Sequence, residues 1–267
     1  MKIIRFLDKE GNLHSGCDVR DGSACIVKTD SKGQFVNTEQ RVKIETVMPL
    51  IIPSAIFCIG LNYRLHAKET GLKIPEHPVV FMKNPASVTY DGSKIVIPRS
   101  CINPPQVDYE AELAVVIGKS AKNVKKEQAL EYVAGYTCAN DISARAWQKH
   151  AGAGQWIKGK SFDTFCPVGP CLVTRDDIPD PGNLDIQCRV NGQVLQKSST
   201  SDMIFTVEEI IEFLSDDTTL MPGTLILTGT PSGVGFTRKP PVYLLPGDVV
   251  ETEIKKIGIL TNSVEQC

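Results

Sequence analysis

The chain has 267 residues, 42% hydrophobic and 22% charged, with 29 basic and 31 acidic side chains mixed along its length and a net charge of −2. This is ordinary globular composition, enough for one large domain or for a large and a small one, and it lacks the basic footprint that nucleic acid or an anionic membrane surface needs. The nine cysteines are odd in number, sit in apolar segments and form no CxxC pair, so they read as reduced core thiols rather than a disulfide frame or a zinc site.

The first segment, MKIIRFLDKEGNLHSG, turns acidic too soon for a signal peptide and lacks the Arg- and Ser-rich character of a transit sequence. No later stretch approaches membrane-spanning length. A soluble protein of the cytoplasm is expected, or of the mitochondrial matrix if a presequence has been removed. Residues 1–50 alternate and turn, as in FLDKEGNLHSG and DSKGQFV, and predict a small N-terminal domain of β-hairpins ahead of a catalytic unit over 51–267. IIPSAIFCIGLNY then reads as a buried strand emptying into RLHAKETGLKIPEHP, a mobile loop with a short helix. VVFMKNP and KIVIP are apolar runs of strand length.

VDYEAELAVVIG predicts a strand that places Asp108, Glu110 and Glu112 on one face and becomes apolar on both faces by Leu113. Such a strand is buried on both sides, so glutamates at its mouth, with Cα atoms about 6.6–6.8 Å apart, need a partner or a cation. Solvated acids at an exposed strand end are the plainer alternative. KKEQALEYV predicts a helix, AGYTCAN a strand, and DISARAWQKH a helix start with Asp141 near its positive end. LDIQCRVNGQVLQKSST is a hairpin on the Asn191-Gly192 turn, and Thr206 with Glu209 forms a capping box before VEEIIEFLS. TLILTG is a strand, TPSGVG a glycine-rich turn, and DVVETEIKKIGILTNSV a closing hairpin. Strands outnumber helices and no repeat is present, so the fold class is α+β and β-rich, with several sheets.

Polar residues that a core would not choose mark three segments: Glu110 and Glu112; Asp141 with Arg145 and Gln148 at i+4 and i+7; and KGKSFDTF with Lys158, Lys160 and Asp163. If Glu110, Glu112 and Asp141 converge, they form an all-oxygen site suited to Mg²⁺, Mn²⁺ or Ca²⁺ rather than zinc. Spacing alone does not bring them together; Arg145 could simply neutralise Asp141, and Lys160 could be a surface lysine. His66 and Glu69 are three apart and would face one another on a helix, where the carboxylate could orient the imidazole as a general base. For a lone HxxE, an incidental pair on a surface helix is the plainer reading. His14, His77 and His150 read as structural or exposed. TGTPSGVG lacks GK[ST] and does not match GxGxxG, so it is a turn, one whose amides could approach a small anion.

Taken in order, IGLNYxxHxxE, FxK at Phe81 to Lys83, DYExELAVVIG, NDISARxxQ, KSFDTFxPxGP, RVNGxxxQ and ILTGTPxGVG resemble the fumarylacetoacetate hydrolase superfamily. The likeness runs from about Ile56 to Val264, some four-fifths of the chain, and residues 1–50 carry little of it. CRVNGQVLQ with TRKPPVYLLPGD is similar to the branch called fumarylacetoacetate hydrolase domain-containing protein 2. The resemblance implies a mixed β-roll of stacked sheets with a few helices, assembled as a homodimer. It further implies Mg²⁺ or Mn²⁺ on Glu110, Glu112 and Asp141, with Ca²⁺ a substitute in vitro. His66 and Glu69 would be an acid/base pair on a closing lid, with Lys160 as a further catalytic group. Arg145, Gln148, Thr230 and Lys83 would bind substrate. The substrate expected is a small anionic 2-oxo acid, drawn to Lys160 and Arg145, and branch similarity puts oxaloacetate keto-enol tautomerisation first. Hydrolysis of a C–C bond in an acylpyruvate or fumarylacetoacetate-type substrate follows, then oxaloacetate decarboxylation; a silent, metal-stabilised interaction protein is the remote alternative.

Overall fold

In the computed structural model, which describes residues 1–30, 34–151 and 154–267, the N-terminal part is an antiparallel meander. It comprises β1 (Lys2–Leu7), β2 (Leu13–Arg20), β3 (Ser23–Thr29) and β4 (Phe35–Lys43), with β5 (Thr46–Met48) returning to pair with β1. The turn expected in DSKGQFV falls on residues 31–33, outside the described residues. There follow β6 (Ile56–Gly60), α1 (Arg64–Thr70), β7 (Val79–Lys83), β8 (Val88–Tyr90), β9 (Lys94–Ile97), β10 (Val107–Asp108) and β11 (Ala111–Ile117). Next come β12 (Val133–Asn140), β13 (Ser143–Ala144), α2 (Arg145–Lys149), α3 (Trp156–Lys160) and β14 (Cys166–Thr174). The chain closes with β15 (Asp185–Val190), β16 (Gln193–Ser199), α4 (Val207–Ser215), β17 (Leu225–Leu227), β18 (Val249–Ile254) and β19 (Gly258–Gln266).

The main sheet has the order β4-β3-β2-β1-β14-β12-β11-β17-β6-β7, so β1 joins the N-terminal hairpins to the edge of β14. A second sheet, β16-β15-β18-β19-β9, lies against it. The core fills the space between them. Residues of β11 are buried without exception. Leu113, Val115 and Ile117 enter the core cluster shared with Ile186, Val250 and Leu260 of the second sheet, while Ala114 and Val116 enter another with Ile3, Cys58 and Leu225. That is the two-sided burial the apolar run requires.

Local signals hold where neighbours decide them. Asn191, at φ 50°, and Gly192 turn the β15–β16 hairpin. The Thr206 hydroxyl accepts from the Glu209 amide and the Glu209 carboxylate from the Thr206 amide, and the helix then buries Val207, Ile210, Ile211 and Leu214. The segment KEQALEY is a 3₁₀ stretch, Lys126–Tyr132, rather than an α-helix; it starts without a side-chain cap and lies against α4, tied to it by a 2.6 Å Lys126–Glu209 pair. Eight cysteines are buried free thiols and Cys267 is exposed. No helix among the described residues is long and apolar enough to cross a membrane.

Candidate active site and metal centre

The expected single strand through Val107–Gly118 is interrupted at Tyr109 and Glu110. Side chains from elsewhere take over the ladder there: Asn140 Oδ1 accepts from the Glu110 amide, Gln196 Oε1 accepts from the Ala111 amide, and the Thr230 hydroxyl donates to the Ala111 carbonyl. β10 instead pairs with β13, and this break separates Asp108 from the two glutamates. A second difference concerns Asp141. The helix begins at Arg145, whose amide donates to the Gln106 carbonyl, so Asp141 lies in the turn between β12 and β13 and does not share a helical face with Arg145 and Gln148.

Tertiary contacts bring Glu110, Glu112 and Asp141 together. One carboxylate oxygen of each lies within 4.8 Å of the others, and all three residues are buried. Three cations lie among them. Lys160 Nζ contacts Glu110 at 2.8 Å, Asp141 at 2.6 Å and the Ser143 hydroxyl at 2.7 Å. Lys83 Nζ donates to the other Asp141 oxygen at 2.5 Å and to the Ile142 carbonyl at 3.3 Å. Arg145 meets Glu110 at 2.7 Å and Asp108 at 2.8 Å. Asp108, Glu110, Glu112 and Asp141 thus face Lys83, Arg145 and Lys160, leaving one negative charge in excess.

Among the described residues Glu112 is the acid of this set with no lysine or arginine in ion-pair contact, so the excess would fall on it once ionised. Burial, with the charges of Asp141 and Glu110, pushes its carboxyl well above the usual range, and its one hydrogen bond among the described residues comes from the Gly229 amide at 2.6 Å. Glu110 moves the other way: burial opposes ionisation, but the charges of Lys160 and Arg145 outweigh it and hold the carboxyl low. Lys160 likewise resists the pull of burial because Asp141 and Glu110 raise it. An under-neutralised carboxylate in a set of three oxygen donors fits a hard divalent cation, and the absence of Cys or His from the set argues against zinc.

His66 and Glu69 lie on α1, and His66 Nδ1 is 3.0 Å from Glu69 Oε2. The glycine-rich turn holds this pair from below. Glu69 Oε1 accepts from the Gly233 amide and the Thr237 hydroxyl, each at 2.9 Å. Burial would raise the Glu69 carboxyl, yet these bonds and the one with His66 bring it below its usual value. The turn's amides therefore do approach anions, but the anions are the protein's own: Glu112 on Gly229, Glu69 on Gly233, and Asp108 on Gly235 and Phe236. Gly235 is required by this approach, since a Cβ there would lie 2.6 Å from Asp108 Oδ1 and 1.8 Å from the Val242 carbonyl. Gly159 similarly lets α3 press onto α2, where a Cβ would meet the Gln148 amide nitrogen at 2.8 Å, and so brings Lys160 beside Arg145 and Gln148.

A cavity of about 230 Å³ opens at this cluster. His66, Glu110, Glu112, Arg145, Gln148, Lys160 and Thr230 line it. Lys83 does not; it is buried behind Asp141 as a counter-charge, away from where a substrate would lie. Thr230 has its hydroxyl engaged with Ala111 and Gln196. Residues not singled out from sequence complete the walls: Ile59, Leu72, Lys149, Trp156 and Phe236. Asp108 is the other omission. It anchors both Arg145 and the turn, a role that alternation along a strand could not reveal.

A family profile described as fumarylacetoacetate (FAA) hydrolase C-terminal matches residues 55–265. The chain is 49% identical over 224 residues to a Xenopus laevis protein named oxaloacetate tautomerase fahd2, mitochondrial, covering 84% of this chain and 69% of that one. It is 46% identical over 224 residues to the Homo sapiens oxaloacetate tautomerase FAHD2A, mitochondrial, with 84% and 70% covered. Among solved structures, a Mycobacterium smegmatis 5-carboxymethyl-2-hydroxymuconate delta-isomerase superposes over 100% of both chains with a TM-score of 0.85 at 33% identity.

Proposed function

The chain belongs to the fumarylacetoacetate hydrolase family, and from that premise we propose that it is a divalent-metal-dependent oxaloacetate keto-enol tautomerase. The observation that carries the reading is one small cavity lined both by His66, oriented by Glu69, and by Glu110 and Glu112 of the three-carboxylate cluster. The names of its relatives supply oxaloacetate as substrate and favour a mitochondrial compartment over the cytoplasm.

Glu110, Glu112 and Asp141 would hold Mg²⁺ or Mn²⁺. Bound there, the ion supplies a Lewis acid that stabilises negative charge on the substrate's 2-oxo group. The remaining chemistry falls to side chains. Glu69 accepts from His66 Nδ1 and leaves Nε2 to work as the base, taking a proton from C3 of the keto form and delivering it to the 2-oxo oxygen to give the enol, with the same transfer run backwards in the reverse direction. Because Asp141 and Glu110 keep Lys160 protonated, it contributes a fixed positive charge beside the developing oxyanion and leaves the proton at carbon to His66. Arg145 occupies Gln148 Oε1, so the Gln148 side chain presents its amide N–H groups to the substrate. Thr230 shapes the wall, and Lys83 keeps Asp141 in place. A homodimer belongs to the same proposal, supported by the exposed Val79, Val80 and Met82 on the edge strand β7 next to Trp156 and Ile157.

The test follows the enol absorbance of oxaloacetate, and in parallel pyruvate release from acetylpyruvate, with Mg²⁺ and with EDTA. Accelerated enol decay that EDTA abolishes, and that His66→Ala reduces by about 10²–10⁴, is expected. Pyruvate release without enol decay would replace tautomerisation by C–C hydrolysis.

A further inference from the structure

Resting on the reading of the cavity as a site for 2-oxo acids, we propose that Lys149 is the specificity residue that recognises the second carboxylate of a dicarboxylate substrate. The argument begins with which cations are free. The Arg145 charge is already met by Asp108 and Glu110, with Nε on Asp108 and Nη1 on Gln148, and the Lys160 ammonium is saturated by Glu110, Asp141 and Ser143. Lys83 is likewise committed and does not reach the cavity. Lys149 lines the same cavity, yet no carboxylate lies within ion-pair distance of it among the described residues.

Its position is nevertheless built. Lys149 follows Gln148 on α2, and its Nζ sits 3.3 Å from the centroid of the Phe236 ring, whose face also carries the Arg145 guanidinium at 4.5 Å. Phe236 is fixed through its amide, which donates to Asp108. Lys149 is exposed to solvent, and partial desolvation with the neighbouring Arg145 charge lowers it below an ordinary lysine, so an arriving anion meets a cation with no carboxylate to displace. Ile59 and Leu72 in the surrounding wall offer a second carboxylate no competing donor. A ligand with its 2-oxo acid end at the Glu110–Glu112–Asp141 cluster and a carboxylate one or two carbons away would place that group against Lys149. A monocarboxylate of the same length would leave Lys149 unsatisfied.

The probes are malate and 2-hydroxybutyrate, which share a four-carbon 2-hydroxy acid head and differ in the distal carboxylate. Calorimetric titration of the Mg²⁺-loaded protein is expected to show malate bound at least about tenfold more tightly, the scale of a charge-assisted hydrogen bond in a partly exposed site. Lys149→Met keeps the aliphatic stem on Phe236 and should erase that preference by weakening malate alone, together with the salt dependence of malate binding. Lys149→Arg should restore it. An unchanged preference in Lys149→Met, or equal weakening of both ligands, overturns the assignment. Loss of the malate preference in Lys149→Met when the wild-type protein fails to accelerate enol decay would sustain the assignment and sink the tautomerase reading.

Discussion

Replacing Asp108 tests whether one buried carboxylate organises the site. It is fully buried, and its two oxygens accept from the amides of Tyr109, Gly235 and Phe236 at 2.8–3.0 Å and from Arg145 Nε at 2.8 Å, while Arg145 Nη2 makes an ion-pair contact at 2.8 Å. In Asp108→Ala the Arg145 charge, 4% exposed, keeps Glu110 as its sole carboxylate, and two turn amides lose their acceptor. Removing one partner of a buried pair costs about 3–5 kcal/mol, and an orphaned buried amide about 1–3 kcal/mol. Neighbouring terms overlap rather than add, so a loss of about 5 kcal/mol is expected for Ala and about 3 kcal/mol for the isosteric Asn, which keeps a carbonyl acceptor. At about 2–4 °C per kcal/mol for a chain of this size, that lowers Tm by about 10–20 °C and 6–12 °C respectively. Scanning calorimetry in EDTA reads these shifts without any metal contribution. The turn that Asp108 holds also carries the Gly233 amide on Glu69, so turnover at 20 °C should fall even where the variant is folded. A Tm change under about 2 °C for Asp108→Asn, at that same conversion, would mean that Glu110 alone neutralises Arg145 and would refute the anchoring argument.

Glu112→Gln should change sign with metal: because burial and its two acidic neighbours raise the Glu112 carboxyl, its ionisation destabilises the fold above the ordinary carboxylate range, so the variant should melt higher than wild type in EDTA at pH 8. In Mg²⁺ at 100 times the dissociation constant, wild type gains about 2.7 kcal/mol and the variant should gain far less; a lower melting point for the variant in EDTA contradicts the electrostatics. Thr237→Val removes one hydroxyl from Glu69 and is expected to reduce kcat about fivefold, the value of about 1 kcal/mol, and to displace its pH profile; an unaltered profile would show that the contact does not position His66. Asp8 is lowered to about 2, chiefly by its 2.7 Å contact with His14, so it stabilises the fold above the unfolded carboxylate range near 3.8 and loses that contribution between about pH 4 and pH 2. Acid titration of Asp8→Asn should therefore show a shallower loss of Tm across that window, and parallel curves would exclude the contact as a stabiliser.

The features legible in the amino-acid sequence are those settled within a few residues. Asn191-Gly192 makes its own hairpin, Thr206 and Glu209 cap their own helix, and His66 meets Glu69 because three residues are one helical turn. The apolar run from Leu113 to Ile117 required burial on both faces wherever it was placed. Resemblance to a family collected the ten site residues by motif, but motifs carry no hydrogen-bond partners. Those partners were decided by segments 30 or more positions apart. Asn140, Gln196 and Thr230 break the strand at Glu110; Gln106 starts the helix at Arg145 instead of Asp141; Asp108, on the same sequence face as the two glutamates, turns to Arg145. The same long-range pairing commits Lys83, Lys160 and Arg145 to carboxylates and leaves Lys149 without one among the described residues. Charge neutralisation in a buried site depends on three-dimensional distance, and a linear pattern records side-chain chemistry but not which charge lies nearest.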